Sequence, residues 1–488
     1  MNQEGRIRIA FLTPEMAPLA KTGGLADVIG ALPKYLSAHP HLEIIVLMPF
    51  YREVKKKNLG LEKIFSGLSI DWPGSEKKFS GHKFQADGFS VYLIENDFYY
   101  DRDYLYGTPE GDYPDNGERF AFFCLAALRT LEVLGFQPNL IHGHDWQAAL
   151  TFAYLKHHPE IKNLLPQTRS LFTIHNLAYQ GLFKPEIMAR VGLPGYLFNP
   201  EDLEFYGKIN YLKAGLLYSD AISTVSPTYS LEIQTPEFGF GLEGVLKKRA
   251  GRLFGILNGV DYQEWNPESD PALPARYSRE NPAGKSVCRL ELLRAFSFPV
   301  DSSRPVIGMV SRLAGQKGFD LLVKSLDEIL AKDLYLVILG TGEKEIQNLL
   351  LEAQKRYPER LGLRIAFDDR LARLIYAGSD FFLIPSRYEP CGLTQMYSLR
   401  YGTIPIVRST GGLKDSVEEF NPATLRGNGF LFQAYETKAL IQSIDRALSY
   451  YRQEPYWSKM IDNALSADFS WEKSANDYMK LYLKILSF

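Results

Sequence analysis

Cations beside glycine turns occur in both halves of the chain, a pattern suited to holding an anion. Lys21 precedes Gly23 and Gly24, while Arg312 and Lys317 flank a turn that contains another glycine. Each turn lies between an apolar run and a helical pattern, so we predict a strand, a loop and a helix at both places. Cations beside a helix N-terminus stabilise a phosphate or a developing oxyanion. A plain strand-to-helix turn or a solvated loop has the same spacing, and both readings stay open.

Glu389 is an acidic candidate in the turn after a predicted strand of the second half. It follows the apolar run Phe381–Pro385, which predicts a buried parallel strand. After a short helix and another apolar run, Thr410, Gly411 and Gly412 begin a further helix. A carboxylate and a helix N-terminus therefore come off adjacent strand ends. In an open α/β sheet, that edge is where ligands bind.

Asp145 and His175 each follow an apolar run in the first half, in HGHDW and FTIHN. We expect both at the carboxyl edge of the same sheet as Lys21. Asp145 also fits a helix N-cap, and a histidine at such a place is often structural. His142 and His144 have donor atoms for a metal, but their spacing without a third ligand is a weak signal.

No metal or cofactor is expected. Asp101-Arg102-Asp103 formally matches the DxD metal motif of some sugar transferases, but we interpret it as coincidence because it is not at a predicted strand end. The three cysteines are far apart and lack metal-ligand spacing. Their distribution favours a reducing, cytoplasmic location over a disulfide framework.

Size and composition indicate a globular protein with two domains. The chain has 488 residues, 45% of them hydrophobic, and a formal net charge of -2. We expect neither a nucleic-acid partner nor a membrane partner, since there is no basic field, no secretory pattern and no apolar run of membrane-spanning length. The oligomeric state stays open. Residues 52–98 predict an antiparallel insertion, and residues 96–116 a long loop.

The predicted elements form two successive runs of alternating strands and helices, which indicates an α/β protein with two doubly wound domains. Nine stretches also resemble one known family, that of bacterial glycogen synthases and plant starch synthases. They are KTGGLADV, DYPDNGERFAFF, HGHDWQAAL, FTIHNLAYQG, STVSPTYSLEIQTPEFGFGLEGVL, ILNGVDYQEWNP, GMVSRLAGQKGFDLL, SRYEPCGLTQMYSLRYGTIPIVRSTGGLKDSV and GNGFLF.

The resemblance implies the GT-B fold, in which two Rossmann-like domains face each other across a deep cleft. It implies a glucan-binding domain of residues 1–254, joined by a returning helix at 470–488, and a nucleotide-sugar domain of residues 255–469. It further implies transfer of glucose from ADP-glucose to the non-reducing end 4-hydroxyl of an α-1,4-glucan such as glycogen, with retention of configuration.

Residue roles are implied in the same way. Arg312 and Lys317 resemble the cations that neutralise the diphosphate, and Glu389 resembles the glutamate against the donor glucose. His175 is similar to a residue that contacts the glucose, and Asp145 to one near the reacting centre. The remaining expected positions are Lys21, Gly24, Asn258, Phe367, Tyr397, Thr410, Gly411 and Gly412 for the donor, and Glu15 and Asp27 on the acceptor side. The glycines are expected to offer backbone N–H groups to the distal phosphate.

Two positions depart from the pattern of related transferases. Many retaining transferases carry, at the position of Tyr397, a second glutamate that binds the ribose. The glycogen synthase branch resembles this chain in lacking that glutamate. Phe367 stands where members can carry a tyrosine near the adenine, so stacking is kept and a hydroxyl contact is lost. The alternatives are a UDP-glucose-using enzyme, an enzyme that forms maltose 1-phosphate, and a non-catalytic glucan-binding protein.

Overall fold

The structure, a computed structural model, describes residues 5–300 and 303–488. The chain separates into two compact units. The first unit contains residues 5–225, Ser230–Ile256 and Trp471–Phe488; the second contains Ser226–Tyr229 and Leu257–Ser470. The main division thus falls between Ile256 and Leu257, where the sequence analysis placed the domain boundary between residues 254 and 255.

The strands and helices alternate along most of the chain. The strands are β1 (Ile7–Leu12), β2 (Leu42–Pro49), β3 (Glu62–Trp72), β4 (Ser75–Gln85), β5 (Ser90–Glu95), β6 (Gly107–Thr108), β7 (Gly111–Asp112), β8 (Leu140–His144), β9 (Arg169–Ile174), β10 (Leu182–Phe183), β11 (Glu204–Phe205), β12 (Lys208–Asn210), β13 (Ala221–Thr224), β14 (Leu253–Gly255), β15 (Val306–Val310), β16 (Tyr335–Leu339), β17 (Leu361–Arg364), β18 (Phe381–Ile384), β19 (Ile404–Arg408) and β20 (Phe430–Phe432). The helices are α1 (Gly24–Ser37), α2 (Arg52–Lys55), α3 (Asp97–Tyr100), α4 (Asn116–Val133), α5 (Asp145–His157), α6 (Ile187–Arg190), α7 (Tyr211–Tyr218), α8 (Pro227–Glu232), α9 (Glu243–Lys248), α10 (Ala283–Ala295), α11 (Phe319–Ala331), α12 (Lys344–Arg356), α13 (Asp369–Gly378), α14 (Thr394–Arg400), α15 (Gly411–Ser416), α16 (Thr437–Tyr450), α17 (Tyr456–Ser466) and α18 (Trp471–Leu486).

The main sheet of the first unit has the strand order β14-β13-β9-β8-β1-β2-β5-β4-β3. Neighbouring strands from β14 to β5 run parallel, whereas β4 is antiparallel to both β5 and β3. The antiparallel insertion predicted for residues 52–98 is therefore confirmed. The stretch predicted as a long loop contains the short helix α3 and the small hairpin of β6 and β7, so that prediction is wrong in part.

The sheet of the second unit has the order β17-β16-β15-β18-β19-β20, with every neighbouring pair parallel. Its strands are nearly continuous apolar runs because helices cover both faces. Along β18, Phe381 and Leu383 pack into one hydrophobic cluster, while Phe382 and Ile384 pack into the other. This alternation follows from the two-residue period of a strand. The edge strand predicted in GNGFLF is β20.

The last helix, α18, belongs to the first unit. Its buried residue Tyr482 forms a hydrogen bond with His142 of β8, with 2.9 Å between the hydroxyl and Nδ1. The helix also packs against α1 and β9. Within the described ranges, no helix is both long and apolar enough to cross a membrane.

Candidate active site

The carboxyl ends of β15, β18 and β19 lie side by side in the second unit. The strand β18 pairs with β15 on one side and with β19 on the other. Arg312 and Lys317 follow β15, Glu389 follows β18, and Thr410 and Gly411 follow β19. The sheet thus brings together the two cations and the carboxylate that the sequence placed at separate strand ends, as the switch-point rule for such sheets leads us to expect.

Lys317 and Glu389 form an ion pair in which one ammonium bridges both carboxylate oxygens. The Nζ atom lies 2.8 Å from Oε1 and 2.8 Å from Oε2. The Glu389 side chain is 9% exposed and the Lys317 side chain 24% exposed. Each charge compensates for the hydration that the other has lost, so removal of either partner leaves a poorly solvated charge.

Arg312 lines a cavity together with the Lys317–Glu389 ion pair. Arg312, Lys317 and Glu389 all line one cavity of about 220 Å³ in the second unit. The Arg312 guanidinium donates to the side-chain oxygen of Gln316 at 3.2 Å and is otherwise exposed. Two cations and one carboxylate therefore surround a small opening. The net positive charge of this group suits an anion with several oxygens.

Ser386 also holds Glu389, and the sequence analysis did not identify it. Its hydroxyl donates to Glu389 Oε2 at 2.9 Å, and the residue is fully buried. The spacing of three residues in SRYEP allows this contact because the chain turns after Pro385. No sequence pattern indicates such a serine, because the turn that directs its hydroxyl to Glu389 forms only when the unit folds.

The glycines at the start of α15 pack against the segment that carries Glu389. The amide of Gly412 donates to the carbonyls of Glu389 and Pro390 at 3.1 and 3.2 Å, and its contact with a phosphate stays a prediction. A Cβ at Gly411 would lie 1.9 Å from the Glu389 carbonyl oxygen, and Gly411 has a φ of +44°. The missing side chains let this turn pack directly against the Glu389 segment. Thr410, the N-cap residue, is buried beside them.

The other donor-side positions of the second unit have separate surroundings. Asn258 is buried, and its amide forms a hydrogen bond with Cys391. The Tyr397 ring stacks on Trp265, with ring centroids 3.9 Å apart and 10° between the planes. Phe367 precedes α13 and is 94% exposed. The aromatic ring at position 397 is thus engaged in packing, whereas the ring at position 367 faces solvent.

In the first unit, β9, β8 and β1 are neighbours, so their carboxyl ends are adjacent as well. Asp145 follows β8, and His175 follows β9. The Asp145 carboxylate accepts a hydrogen bond from the backbone N–H of His175 at 2.7 Å. These two candidate residues are therefore in direct contact.

Asp145 is not the N-cap of α5. The cap position belongs to His144, and Asp145 is the first helical residue, with a φ of +54°. A non-glycine residue rarely adopts this left-handed conformation, and such outliers concentrate at functional sites. Burial raises the pKa of Asp145 to about 7, a shift that the His175 backbone hydrogen bond opposes and the nearby charge of Glu15 reinforces. Carboxyls with such a pKa suit proton transfer near neutral pH.

Three neighbouring histidines, two of them buried, lie at this end of the sheet. The Nδ1 atom of His144 lies 3.0 Å from Nε2 of His175. The two ring nitrogens of His142 contact Tyr482 and Thr173. Burial lowers the pKa of His175 to about 3 and holds the pKa values of His142 and His144 well below the ordinary range. At neutral pH all three rings are therefore uncharged, and both nitrogens of His142 form hydrogen bonds.

The glycine loop after β1 is organised by Glu15. Both oxygens of this buried carboxylate contact the Thr22 hydroxyl, at 3.1 and 3.0 Å, and Oε2 also accepts from the Thr22 backbone N–H. Burial raises the pKa of Glu15, and the hydrogen bonds from Thr22 oppose that shift. Lys21 forms a salt bridge of 2.6 Å with Asp27, and Gly24 is the first residue of α1.

The DxD sequence has a structural explanation. Arg52 donates from Nε to Asp101 at 2.9 Å and from Nη1 to Asp103 at 2.8 Å. Its Nη2 also donates to the backbone carbonyl of Asp101 at 2.7 Å. The two carboxylates thus hold one arginine, and the absence of a metal role for the motif stays a prediction.

Two family models match the chain. The starch synthase catalytic domain matches residues 8–248, and the glycosyl transferases group 1 domain matches residues 294–465. The second match contains Arg312, Lys317 and Glu389, and the first contains Asp145 and His175. The candidate residues of each unit therefore lie in a segment with a recognised glycosyltransferase model.

Curated relatives match over the whole chain. A glycogen synthase of Thermosipho melanesiensis is 45% identical, over 99% of this chain and 99% of the relative. A glycogen synthase of Koribacter versatilis is also 45% identical, over 98% of each chain.

Solved structures agree. The catalytic domain of starch synthase IV from Arabidopsis thaliana, bound to ADP and acarbose, has a TM-score of 0.89 and 32% identity, and the match covers 99% of this chain and 100% of that one. A sucrose-phosphate synthase from Thermosynechococcus elongatus, 16% identical with a TM-score of 0.58 over 99% of this chain and 100% of that one, shares the fold alone. The chain therefore belongs to the glycogen synthase and starch synthase family, and it is a glucosyltransferase with the GT-B fold.

Proposed function

We propose that the protein transfers glucose from ADP-glucose to the non-reducing end 4-hydroxyl of an α-1,4-glucan and keeps the α configuration. The observation that supports this most is the convergence of Arg312, Lys317 and Glu389 around one cavity at the carboxyl edge of the second sheet. Breaking the bond between glucose and a diphosphate leaves negative charge on the phosphate oxygens. Fixed cations at that place lower the barrier because they need no reorganisation.

Glu389 acts as an electrostatic partner of the sugar in this proposal. Its oxygens are held by Lys317 and Ser386, which makes the carboxylate a weak candidate for a free nucleophile. A retaining glycosidase needs two carboxyl groups about 5 Å apart. Among the described residues that line this cavity, Glu389 is the one carboxylate. We therefore favour a same-face path, in which the leaving phosphate takes the proton of the acceptor hydroxyl.

The ADP-glucose donor is supported by two features. The exposed ring of Phe367 is suited to stack on a nucleobase. The starch synthase IV structure, a relative of this chain, holds ADP.

Metal-free catalysis is part of the proposal. It rests on the two cations at the cavity, which supply the charge that a divalent ion supplies in other transferases. The DxD carboxylates support it further, since both hold Arg52.

The test is a comparison of two donors and two acceptors. The protein is incubated with ADP-glucose or UDP-glucose, with glycogen or glucose 1-phosphate as acceptor, and the products are identified by their linkage and anomeric configuration. We expect new α-1,4 linkages on glycogen with ADP-glucose as the better donor. Maltose 1-phosphate as the main product would overturn the proposed acceptor. Faster transfer from UDP-glucose would overturn the proposed donor. Binding of glycogen without transfer from either donor would identify a non-catalytic glucan-binding protein.

A further inference from the structure

Two surface turns of the first unit carry aromatic residues in the left-handed backbone region. Tyr206 has a φ of +48° and is followed by Gly207, with a φ of +77°. Phe240 has a φ of +49° and is followed by Gly241, with a φ of +83°. Bulky residues are disfavoured there because Cβ approaches the carbonyl oxygen, and an aromatic residue in this conformation is an outlier.

The first turn is a hairpin whose geometry favours a different residue. Phe205 pairs with Lys208, so Tyr206 and Gly207 form a two-residue loop with two positive φ angles. Asparagine followed by glycine is the favoured pair for such a loop. The chain has tyrosine instead, and this side chain is 83% exposed. Neither backbone preference nor burial explains the tyrosine.

The two turns meet although they are far apart in the sequence. A Cβ at Gly241 would lie 2.8 Å from the Phe205 ring and 3.3 Å from the Tyr206 ring. The rings of Phe205 and Tyr206 are 4.8 Å apart and nearly perpendicular. The rings of Phe205 and Tyr206 thus pack against Gly241, the residue after Phe240, and the missing side chain of this glycine leaves room for them. We term Phe205, Tyr206 and Phe240 the aromatic platform.

The platform is also anchored from below. The buried side chain of Gln180 donates to the Phe240 carbonyl at 3.0 Å and accepts from the Asn210 side chain at 2.7 Å. Asn210 ends β12, the second strand of the hairpin. One buried amide therefore ties both turns to the same point. The Glu204 carboxylate further fixes the hairpin by accepting from the Gly207 amide at 2.7 Å.

We infer that the aromatic platform is a binding subsite for the α-glucan chain, with Tyr206 stacking on the apolar C–H face of a glucose unit. This inference rests on the proposed function, which supplies the glucan. An exposed, rigidly held aromatic ring offers a flat apolar surface at low entropic cost, and its hydroxyl can stay hydrated. A pyranose ring presents such a face, whereas an ionic ligand would need charged partners.

The test is Tyr206→Asn, because asparagine suits the turn better than tyrosine and removes the ring. Binding is measured by native electrophoresis in gels that contain glycogen, which requires no donor and no turnover. We expect Tyr206→Asn to weaken glycogen binding about three- to tenfold, the range for loss of one aromatic contact. Its melting temperature should be unchanged or higher. Tyr206→Phe keeps the ring and should bind within about twofold of the natural protein.

The control is Tyr196→Asn, which makes the same chemical change at another exposed tyrosine, 64% exposed, outside the platform. It should leave glycogen binding unchanged. Equal binding by Tyr206→Asn and the natural protein would overturn the inference, as would a loss shared by Tyr196→Asn or by Tyr206→Phe. Glucose incorporation into glycogen is measured in parallel. If incorporation proceeds while Tyr206→Asn binds normally, the proposed function stands and the platform is refuted.

Discussion

The Nζ atom of Lys317 lies 2.8 Å from each carboxylate oxygen of Glu389, so the central cation and the central anion of the site are already paired before a substrate binds. Ser386 holds the same carboxylate from another side. When a diphosphate enters, we expect Lys317 to share its charge with the new anion while the serine keeps Glu389 in place. The pair thus keeps both groups positioned without leaving a buried charge uncompensated.

Glu389→Gln tests the charge of this carboxylate. The amide oxygen can still accept from Ser386, while the negative charge is lost. We expect kcat with ADP-glucose to fall about 100-fold, as for loss of one electrostatic contact to the transition state, with little change in KM. Steady-state kinetics measures both constants, and the exposed Glu345→Gln serves as the control. A raised KM with unchanged kcat would show that Glu389 only binds the donor.

Asp145→Asn tests the raised pKa at the first sheet. The pKa of Asp145 is about 7 in the folded protein, against an ordinary value of 3.8. Between these values the folded state keeps a proton that the unfolded chain has released, so the stability contributed by this group falls as pH rises from about 4 to about 7. The variant lacks this loss. The melting temperature of the variant minus that of the natural protein should therefore be larger at about pH 8 than at about pH 5.

The control for this pH effect is Asp477→Asn, a change on the outer part of α18. Its difference from the natural protein should be the same at both pH values. A pH-independent difference for Asp145→Asn as well would contradict the raised pKa.

Removal of divalent metal should leave activity intact. Asp101 and Asp103 are occupied by Arg52, and the cations of the cavity supply positive charge for the leaving group. We expect the same rate of glucose incorporation before and after treatment with EDTA. The double substitution Asp101→Asn and Asp103→Asn should lower the melting temperature only slightly, because these ion pairs with Arg52 are exposed to solvent. A rate lost with EDTA and restored by magnesium would return the DxD motif to consideration.

Gly412→Ala should destabilise the second unit strongly. The added Cβ would lie 1.9 Å from the Cys391 carbonyl oxygen, an overlap that only a backbone shift relieves. We expect a loss of about 3 kcal/mol or more, visible as a lower melting temperature. Gly23→Ala is the matched control in the other glycine loop, because a Cβ there has no atom within 4 Å. Equal melting temperatures for the two variants would contradict the close packing against the Glu389 segment.

The sequence predicted the sites that depend on strand ends. Glu389 and the cations follow apolar runs, and neighbouring parallel strands bring such positions together whatever the details of the loops. The use of the Gly412 amide was not predictable, because its partners are carbonyls of another loop that meet it only after folding. The same holds for Ser386, whose aim depends on one turn.

Two residues with unusual backbone angles were not predictable from the sequence. Asp145 has the residue type of an N-cap, and only its φ of +54° shows that the carboxylate turns to His175 instead. The turn at Tyr206 was not predicted, because a tyrosine is not among the residues that indicate a two-residue hairpin loop. In both cases local preference and the observed conformation disagree, and the disagreement itself points to the residue.

The most direct test of the account is the turnover of Lys317→Ala with ADP-glucose and glycogen. The substitution removes the cation that the proposal places on the leaving diphosphate, and kcat should fall about 100- to 1,000-fold, as for loss of a preorganised oxyanion contact. The circular dichroism spectrum should be unchanged, and Lys324→Ala, an exposed lysine on α11, should keep full activity. A kcat for Lys317→Ala equal to that of the natural protein would contradict the account.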